Sequence, residues 1–197
     1  LGLVESGLDL AAGRIQAQGP LSRLPYTARA QGASSRGAWS FDGRGQIAQL
    51  KPGYQVAFDG MGKLGDRDVH TVETASFRLG GTERSARLRL AASGGGFINV
   101  DGSLTGGLAD IRAGVKGLGL GMVNEELAGQ VDATLNVQGK GERLEGVMQA
   151  KLVGARGRGA PESSGIDGAL NARLAGDTHT LDLDGSNRMG LKANANL

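Results

Sequence analysis

Apolar and polar residues alternate along most of the chain. Clear runs occupy residues 54–59, 87–90 and 130–138, where every second side chain is apolar. Successive side chains of a β-strand point to opposite faces, so each run gives a strand one apolar face and one polar face. The period of two predicts an all-β protein with about 12 to 14 short strands.

Glycine follows a polar residue between many of these runs, and these pairs are predicted to be turns. Glycine adopts the positive φ that two-residue hairpin turns require, and short turns join neighbouring antiparallel strands. The fold predicted is therefore an antiparallel β-meander. The predicted turns are Gln31-Gly32, Asp42-Gly43, Asp59-Gly60, Asp101-Gly102, Gln138-Gly139 and Asp184-Gly185.

Residues 108–127 depart from this alternation. Within them, residues 122–127 are compatible with one helical turn or with an Ω-like loop. We therefore expect residues 1–197 to form a single elongated segment with a weak internal break near 105–127. The chain begins with Leu rather than Met, which we interpret as a piece of a longer protein.

Composition bears on how the sheet is arranged. Glycine accounts for 36 of 197 residues, while the aromatic residues are 1 Trp, 2 Tyr and 4 Phe. A β-sandwich core needs large side chains from two sheets packed about 10 Å apart. Small inward residues instead favour a sheet that folds over on itself into a twisted, taco-like groove with an apolar interior. A packed β-sandwich is the alternative.

The apolar positions of the alternating runs are the candidate lining of that groove. Such a lining is suited to acyl chains, because each methylene removed from water contributes about 0.8 kcal/mol. The predicted lining residues are Ile15, Ala28, Trp39, Phe41, Val56, Phe58, Leu88, Leu90, Val100, Val131, Leu135, Val137, Leu174, Leu181 and Leu183.

Candidate catalytic chemistry is sparse. The chain has no Cys and only two histidines, His70 and His179, so a thiolate nucleophile and a Cys-based metal site are excluded. The glycine pattern at residues 60–65 matches a dinucleotide fingerprint but lacks the helical period that should follow it. Glu125-Glu126 and the Glu142/Glu145 pair lie in polar stretches without the apolar pocket that separates two carboxyl pKa values. We predict no catalytic, cofactor-binding or metal-binding residues, and no enzyme activity.

Charge and hydropathy argue against a nucleic-acid partner and against a transmembrane helix within this sequence. The 22 basic and 20 acidic residues give a formal net charge of +2, without the concentrated basic face of a nucleic-acid-binding protein. No stretch has the 18 or more consecutive apolar residues that predict a transmembrane helix. The apolar lining favours a ligand with an acyl chain.

A loose repeat is visible in three segments. Residues 127–139 are echoed by residues 166–176 and more weakly by residues 24–32. Each consists of an apolar residue, an alternating run and a glycine. Units that cannot bury their own apolar face usually stack into an extended array.

These segments resemble the TamB and AsmA-like group of Gram-negative envelope proteins. Residues 116–139 look like the recurring unit of that family, which is a leucine-rich step, a short turn, a Leu-x-Gly and an alternating strand ending in Gly. Residues 144–152 resemble its next strand. The resemblance covers most of residues 105–197.

The resemblance implies a periplasmic protein with an inner-membrane anchor outside this segment. It implies a β-groove that carries phospholipid between the inner and outer membranes, supports outer-membrane assembly and pairs with a TamA-like outer-membrane barrel protein. The alternatives are a secreted or surface β-repeat adhesin, which would need parallel coils, and a packed β-sandwich interaction module.

Overall fold

The chain is all-β, as its alternation predicts. In a computed structural model, residues 8–34, 37–141, 143–175, 178–187 and 192–196 are described, and within those ranges strands dominate and no α-helix occurs. The strands form antiparallel hairpins in chain order, which confirms the predicted meander. The chain divides into two compact units, Leu1–Ser93 and Gly94–Leu197.

The first unit contains seven described strands. They are β1 (Leu8–Ala17), β2 (Leu24–Ser34), β3 (Gly37–Leu50), β4 (Gly53–Leu64), β5 (Arg67–Thr71), β6 (Ala75–Leu79) and β7 (Glu83–Ala92). β1 to β5 pair with one another in chain order. β5 and β6 pair with opposite ends of β4, and both pair with β7. A 3-10 helix, Leu21–Arg23, precedes β2.

The second unit also contains seven described strands, paired in chain order. They are β8 (Phe97–Thr105), β9 (Leu108–Gly119), β10 (Leu127–Lys140), β11 (Arg143–Gly157), β12 (Ile166–Ala175), β13 (Thr178–Asn187) and β14 (Lys192–Asn196). Two 3-10 helices, Leu120–Met122 and Glu162–Ser164, precede β10 and β12.

The stretch that departs from alternation lies inside the second unit. Residues 108–127 comprise β9, the 3-10 helix Leu120–Met122, a short loop and the first residue of β10. The boundary between the two units is at residues 93 and 94. A single elongated segment with a break near 105–127, and the curling of the sheet into a groove, stay predictions.

The predicted glycine turns are wrong. Asp42-Gly43, Asp59-Gly60 and Asp101-Gly102 lie inside β3, β4 and β8, and the other three predicted turns also lie within strands, namely β2, β10 and β13. The chain reverses elsewhere, for example at Gly65 and Asp66 and at Gly106 and Gly107. Several of these strands are accordingly longer than the short runs predicted, and β3 and β10 each have 14 residues.

The loose repeat has a structural counterpart. Residues 24–32 lie in β2, residues 127–139 lie in β10, and residues 166–176 begin with β12. Each of these three strands follows a 3-10 helix within a few residues. The repeated element is therefore a tight helical turn followed by a strand.

Two β-bulges in the second unit share one construction. In each, two residues of one strand oppose a single aspartate of the next, as register shifts at Asp132 and Asp167 show. The bulged glycine has a φ of 61° at Gly117 and 60° at Gly154. Its N–H donates to the aspartate carboxylate, at 2.5 Å for Asp132 and 2.7 Å for Asp167.

Little of the described chain is fully buried. The buried apolar residues are Ala75, Ala92, Leu118 and Leu120, and no large side chain among the described residues is completely enclosed. Each unit thus consists of one sheet whose two faces lack a second packed sheet of described strands.

Candidate functional site

The first unit has one predominantly apolar face. Strand pairing places Ala28 of β2 between Ile15 of β1 and Gly43 of β3, and Phe58 of β4 opposite Gly45 of β3. Positions that pair directly share a face, and the face alternates along each strand. Ile15 lies at the edge of this face with 78% of its surface exposed.

Glycines on this face make room for aromatic rings. A Cβ atom built at Gly43 or Gly60 would overlap the ring of Phe58, and one at Gly45 would lie 2.7 Å from the ring of Tyr26. Phe58 stacks on Phe41 with ring centroids 5.4 Å apart. Glycine within a strand marks close approach of another group. The rings therefore lie flat on the sheet, and the glycines of Asp42-Gly43 and Asp59-Gly60 make room for the Phe58 ring within strands instead of forming turns.

The polar atoms of Trp39 and Tyr26 on this face bond to the backbone. The Trp39 indole N–H donates to the carbonyl oxygens of Asp9 and Ala33 at 3.1 and 3.2 Å. The Tyr26 hydroxyl donates to the Ala57 carbonyl at 3.2 Å. Burial, and secondarily the negative charge of Asp59, raises the pKa of Tyr26 above its usual value of 10.0. The aromatic groups consequently present mainly carbon to whatever contacts this face.

The second unit has a face composed only of aliphatic residues and glycine at its paired positions from β8 to β12. One cross-strand row runs through Val100, Ala113, Leu135, Met148 and Ala172. The next rows contain Ile98, Val115, Ala133, Ala150 and Leu170 on one side and Gly102, Ile111, Val137, Gly146 and Leu174 on the other. Most of these side chains are half-buried rather than enclosed.

The predicted lining residues fall on these two apolar faces. In the first unit, pairing or alternation along the strand places eight of them on one face, namely Ile15, Ala28, Trp39, Phe41, Val56, Phe58, Leu88 and Leu90. In the second unit, Val100, Val131, Leu135, Val137 and Leu174 share the aliphatic face. Leu181 and Leu183 belong to β13, opposite Ala172 and Leu170, and their side chains lie outside the described residues.

The opposite faces are polar. In the first unit, Arg29 of β2 pairs with Asp42 of β3, with 2.7 Å between Nε and Oδ2. In the second unit, Asp110 and Arg112 of β9 form an exposed ion pair at 3.1 Å. Exposed ion pairs contribute about 0 to 1 kcal/mol each. They keep this face hydrated more than they stabilise the fold.

Concave sites occur on the polar faces, which sequence reasoning did not anticipate. A cavity of about 700 Å³ in the first unit is lined by charged side chains including Arg14, Arg29, Asp42 and Arg44. A cavity of about 380 Å³ in the second unit is lined by polar residues including Arg112, Gln138 and Glu145. Only the strand register reveals these clusters, because most of their members belong to different strands.

The remaining candidate motifs are dispersed. Gly60 and Gly62 of the dinucleotide-like pattern lie within β4, and Gly65 lies in the turn to β5. His70 and Glu145 are exposed on β5 and β11, and Glu125 and Glu126 are exposed in a loop. His179 and Glu142 lie outside the described side chains. Among the described residues, no group of three His, Cys, Asp or Glu side chains is placed to hold a metal ion.

Within the described ranges, no helix has the length and apolar character needed to cross a membrane. Comparison with protein-family models, curated proteins and solved structures gives no match.

Proposed function

We propose that the apolar faces bind the acyl chains of lipid molecules. The observation that carries this proposal is the strand register, which collects aliphatic side chains on one face of each unit while no second sheet of described strands covers it. Apolar surface that the chain does not cover itself is typical of binding sites. The aliphatic rows from β8 to β12 offer no polar side chain that an acyl chain would have to desolvate.

The free energy that an acyl chain gains on such a face is large enough to keep a lipid out of water while it moves along the face. At about 0.8 kcal/mol per methylene, a sixteen-carbon chain gains up to about 12 kcal/mol on leaving water. A lipid that moves between adjacent positions of an apolar face avoids this cost at each step. Curling of the sheet into a taco-like groove would shelter the chain further, and the right-handed twist of β-sheets favours such curvature.

At the level of the cell, we propose a segment of a periplasmic conduit that carries phospholipid between the inner and outer membranes and supports outer-membrane assembly. This part rests on the resemblance of residues 116–139 and 144–152 to TamB and AsmA-like proteins. It includes an inner-membrane anchor outside this segment and a TamA-like barrel protein as partner.

The alternative functions receive less support from the geometry. A surface-repeat adhesin of the expected kind requires parallel coils, whereas every strand pairing described is antiparallel. A packed sandwich requires two sheets with a filled interior, whereas large side chains on the apolar faces are half-buried.

The proposal predicts that the chain binds a fluorescent long-chain fatty acid and that Leu135→Asp weakens the binding by tenfold or more. Leu135 lies in the middle of the aliphatic face, and a carboxylate there must lose water when an acyl chain covers it. Thr134→Asp is the matched control, because Thr134 is the preceding residue of β10 and points to the polar face. Titration followed by fluorescence measures both. Equal affinities for the two variants, or no binding by the unmodified chain, would disprove the proposal.

A further inference from the structure

A charged residue lies on the apolar face of the first unit. Arg67 begins β5 and pairs with Leu64 of β4, which in turn pairs with Trp39 of β3. Gly62 and Val69 form the next pair on the same face. Among the paired positions of this face in β1 to β5, Arg67 is the charged residue.

Arg67 lies where the apolar face ends and the turn before β5 begins. Its side chain is half-buried, and its Nε atom is shielded from solvent. Arg67 directly follows the turn at Gly65 and Asp66, so it lies at the end of the sheet where the apolar rows begin. Arginine side chains cover apolar surface with their methylenes and direct the guanidinium outward.

From this juxtaposition we infer that Arg67 binds the anionic head group of an amphiphile whose acyl chain lies along the apolar face. The inference rests on the proposed function and adds the class of ligand, a long-chain carboxylate or phosphate ester. A guanidinium offers five N–H donors in a planar fork that matches the oxygens of either group.

The apolar rows beyond Arg67 are long enough for the chain of such a ligand. From Leu64 back to Val56, the strand β4 spans eight residue steps, or about 27 Å at 3.4 Å per residue. Gly62, Gly60 and Phe58 lie between these two ends on the same face. Asp68, the residue that follows Arg67 in β5, is directed to the opposite face beside His70.

The single tryptophan of the chain provides a local reporter. Trp39 is two strands from Arg67 in the same cross-strand row, which corresponds to about 10 Å. A head group at Arg67 therefore brings the first carbons of the acyl chain near Trp39 and the terminal methyl far from it. Stearate carrying a nitroxide quencher near the carboxylate (5-doxylstearate) or near the methyl end (16-doxylstearate) distinguishes the two ends.

The expected result has two parts. In the unmodified full chain, 5-doxylstearate quenches Trp39 fluorescence more strongly than 16-doxylstearate. Arg67→Gln weakens stearate binding by about tenfold and removes the difference between the two quenchers, whereas binding of uncharged oleyl alcohol is unchanged. Arg67→Lys retains most of the affinity. Arg14→Gln, on the exposed polar face of β1, is the control and changes neither ligand.

Other outcomes overturn the inference in distinguishable ways. If oleyl alcohol binds and Arg67→Gln leaves stearate affinity intact, the head-group assignment fails while the proposed function stands. If neither stearate nor oleyl alcohol binds the unmodified chain, both fail. Displacement of stearate by inorganic phosphate alone, with oleyl alcohol left bound, would identify a free-anion site instead of an amphiphile site.

A salt titration of the unmodified chain covers the case in which Arg67→Gln does not fold by circular dichroism. Raising ionic strength from about 0.01 M to about 0.1 M shortens the Debye length from about 30 Å to about 10 Å. We expect stearate affinity to fall and oleyl alcohol affinity to stay constant. Equal salt dependence of the two ligands would contradict the inference.

Discussion

At the scale of single residues, glycine has two different roles in this chain. At Gly43, Gly45 and Gly60, the missing side chain leaves space for an aromatic ring from a neighbouring position. At Gly117 and Gly154, the residue supplies the positive φ of a bulge. The sequence shows the same letter at both kinds of position, so the abundance of glycine does not by itself locate turns.

The first role predicts that Gly60→Ala destabilises the protein while Gly62→Ala does not. An added methyl at Gly60 meets the Phe58 ring and the backbone of β3, whereas at Gly62 its nearest neighbour is a carbonyl oxygen 4.0 Å away. We expect a loss of about 1 to 3 kcal/mol in the free energy of unfolding for Gly60→Ala. For Gly62→Ala we expect no loss, or a gain of about 0.5 kcal/mol. Urea unfolding followed by Trp39 fluorescence checks both, and equal effects would contradict the role assigned to Phe58.

At the scale of elements, two aspartates in the repeated segments hold the bulges that set how neighbouring strands pair. Asp132 and Asp167 follow the apolar residues Val131 and Ile166 and lie inside the echoed segments 127–139 and 166–176. Each carboxylate accepts the N–H of the bulged glycine on the preceding strand. A bulge shifts the register, and a shift by one residue would bring polar side chains to the apolar face. The aspartates thus help to keep the aliphatic rows on one face of the sheet.

This arrangement predicts that Asp167→Ala lowers the free energy of unfolding of the second unit by about 1.5 to 3 kcal/mol. The substitution removes the charged acceptor of a part-buried hydrogen bond and leaves the Gly154 N–H without that partner. Asp110→Ala is the control, because it removes only an exposed ion pair and should change stability by less than about 0.5 kcal/mol. Urea unfolding followed by circular dichroism measures both. A similar loss for the two variants would show that the bulge contact has no special role.

At the scale of the whole molecule, each unit is one sheet with chemically different faces. A usual globular domain buries its apolar face against a second layer. Here the described residues that are buried and apolar are few, and most large apolar side chains remain partly accessible. The described part of the chain therefore leaves much of its apolar surface accessible instead of burying it in a filled core.

If the aliphatic face is accessible, a charged residue on it should destabilise the protein less than a charged residue at a buried position. Leu135→Asp should lower the free energy of unfolding by about 1.5 to 3 kcal/mol, the transfer free energy of a leucine side chain, because the new carboxylate can stay hydrated. Leu118→Asp should prevent folding, because Leu118 is only 8% exposed and an unpaired charge there loses its water. Thermal unfolding of the two variants tests this. Complete unfolding of Leu135→Asp would indicate that the aliphatic face is a packed core.

The sequence alone determined the all-β class, the meander and the membership of the two faces. These follow from the period of two, which any extended strand converts into an apolar and a polar side. It also located the repeat, because the apolar residue, the alternating run and the glycine that follows it are local features, whereas the 3-10 helix before each strand was not predicted. It misplaced the turns. Gly43, for example, makes room for the Phe58 ring only when β3 and β4 are paired, and that pairing is not visible in the sequence.

The contacts between side chains of different strands depend on the tertiary structure. The Arg29–Asp42 pair, the bulge contacts of Asp132 and Asp167, and the row from Trp39 through Leu64 to Arg67 all depend on strand register. Register is the outcome of hairpin lengths and bulges summed along the chain, and a shift of one residue reverses every face. For that reason local periodicity is sufficient to assign a side chain to a face, whereas its neighbours across the sheet require the folded chain.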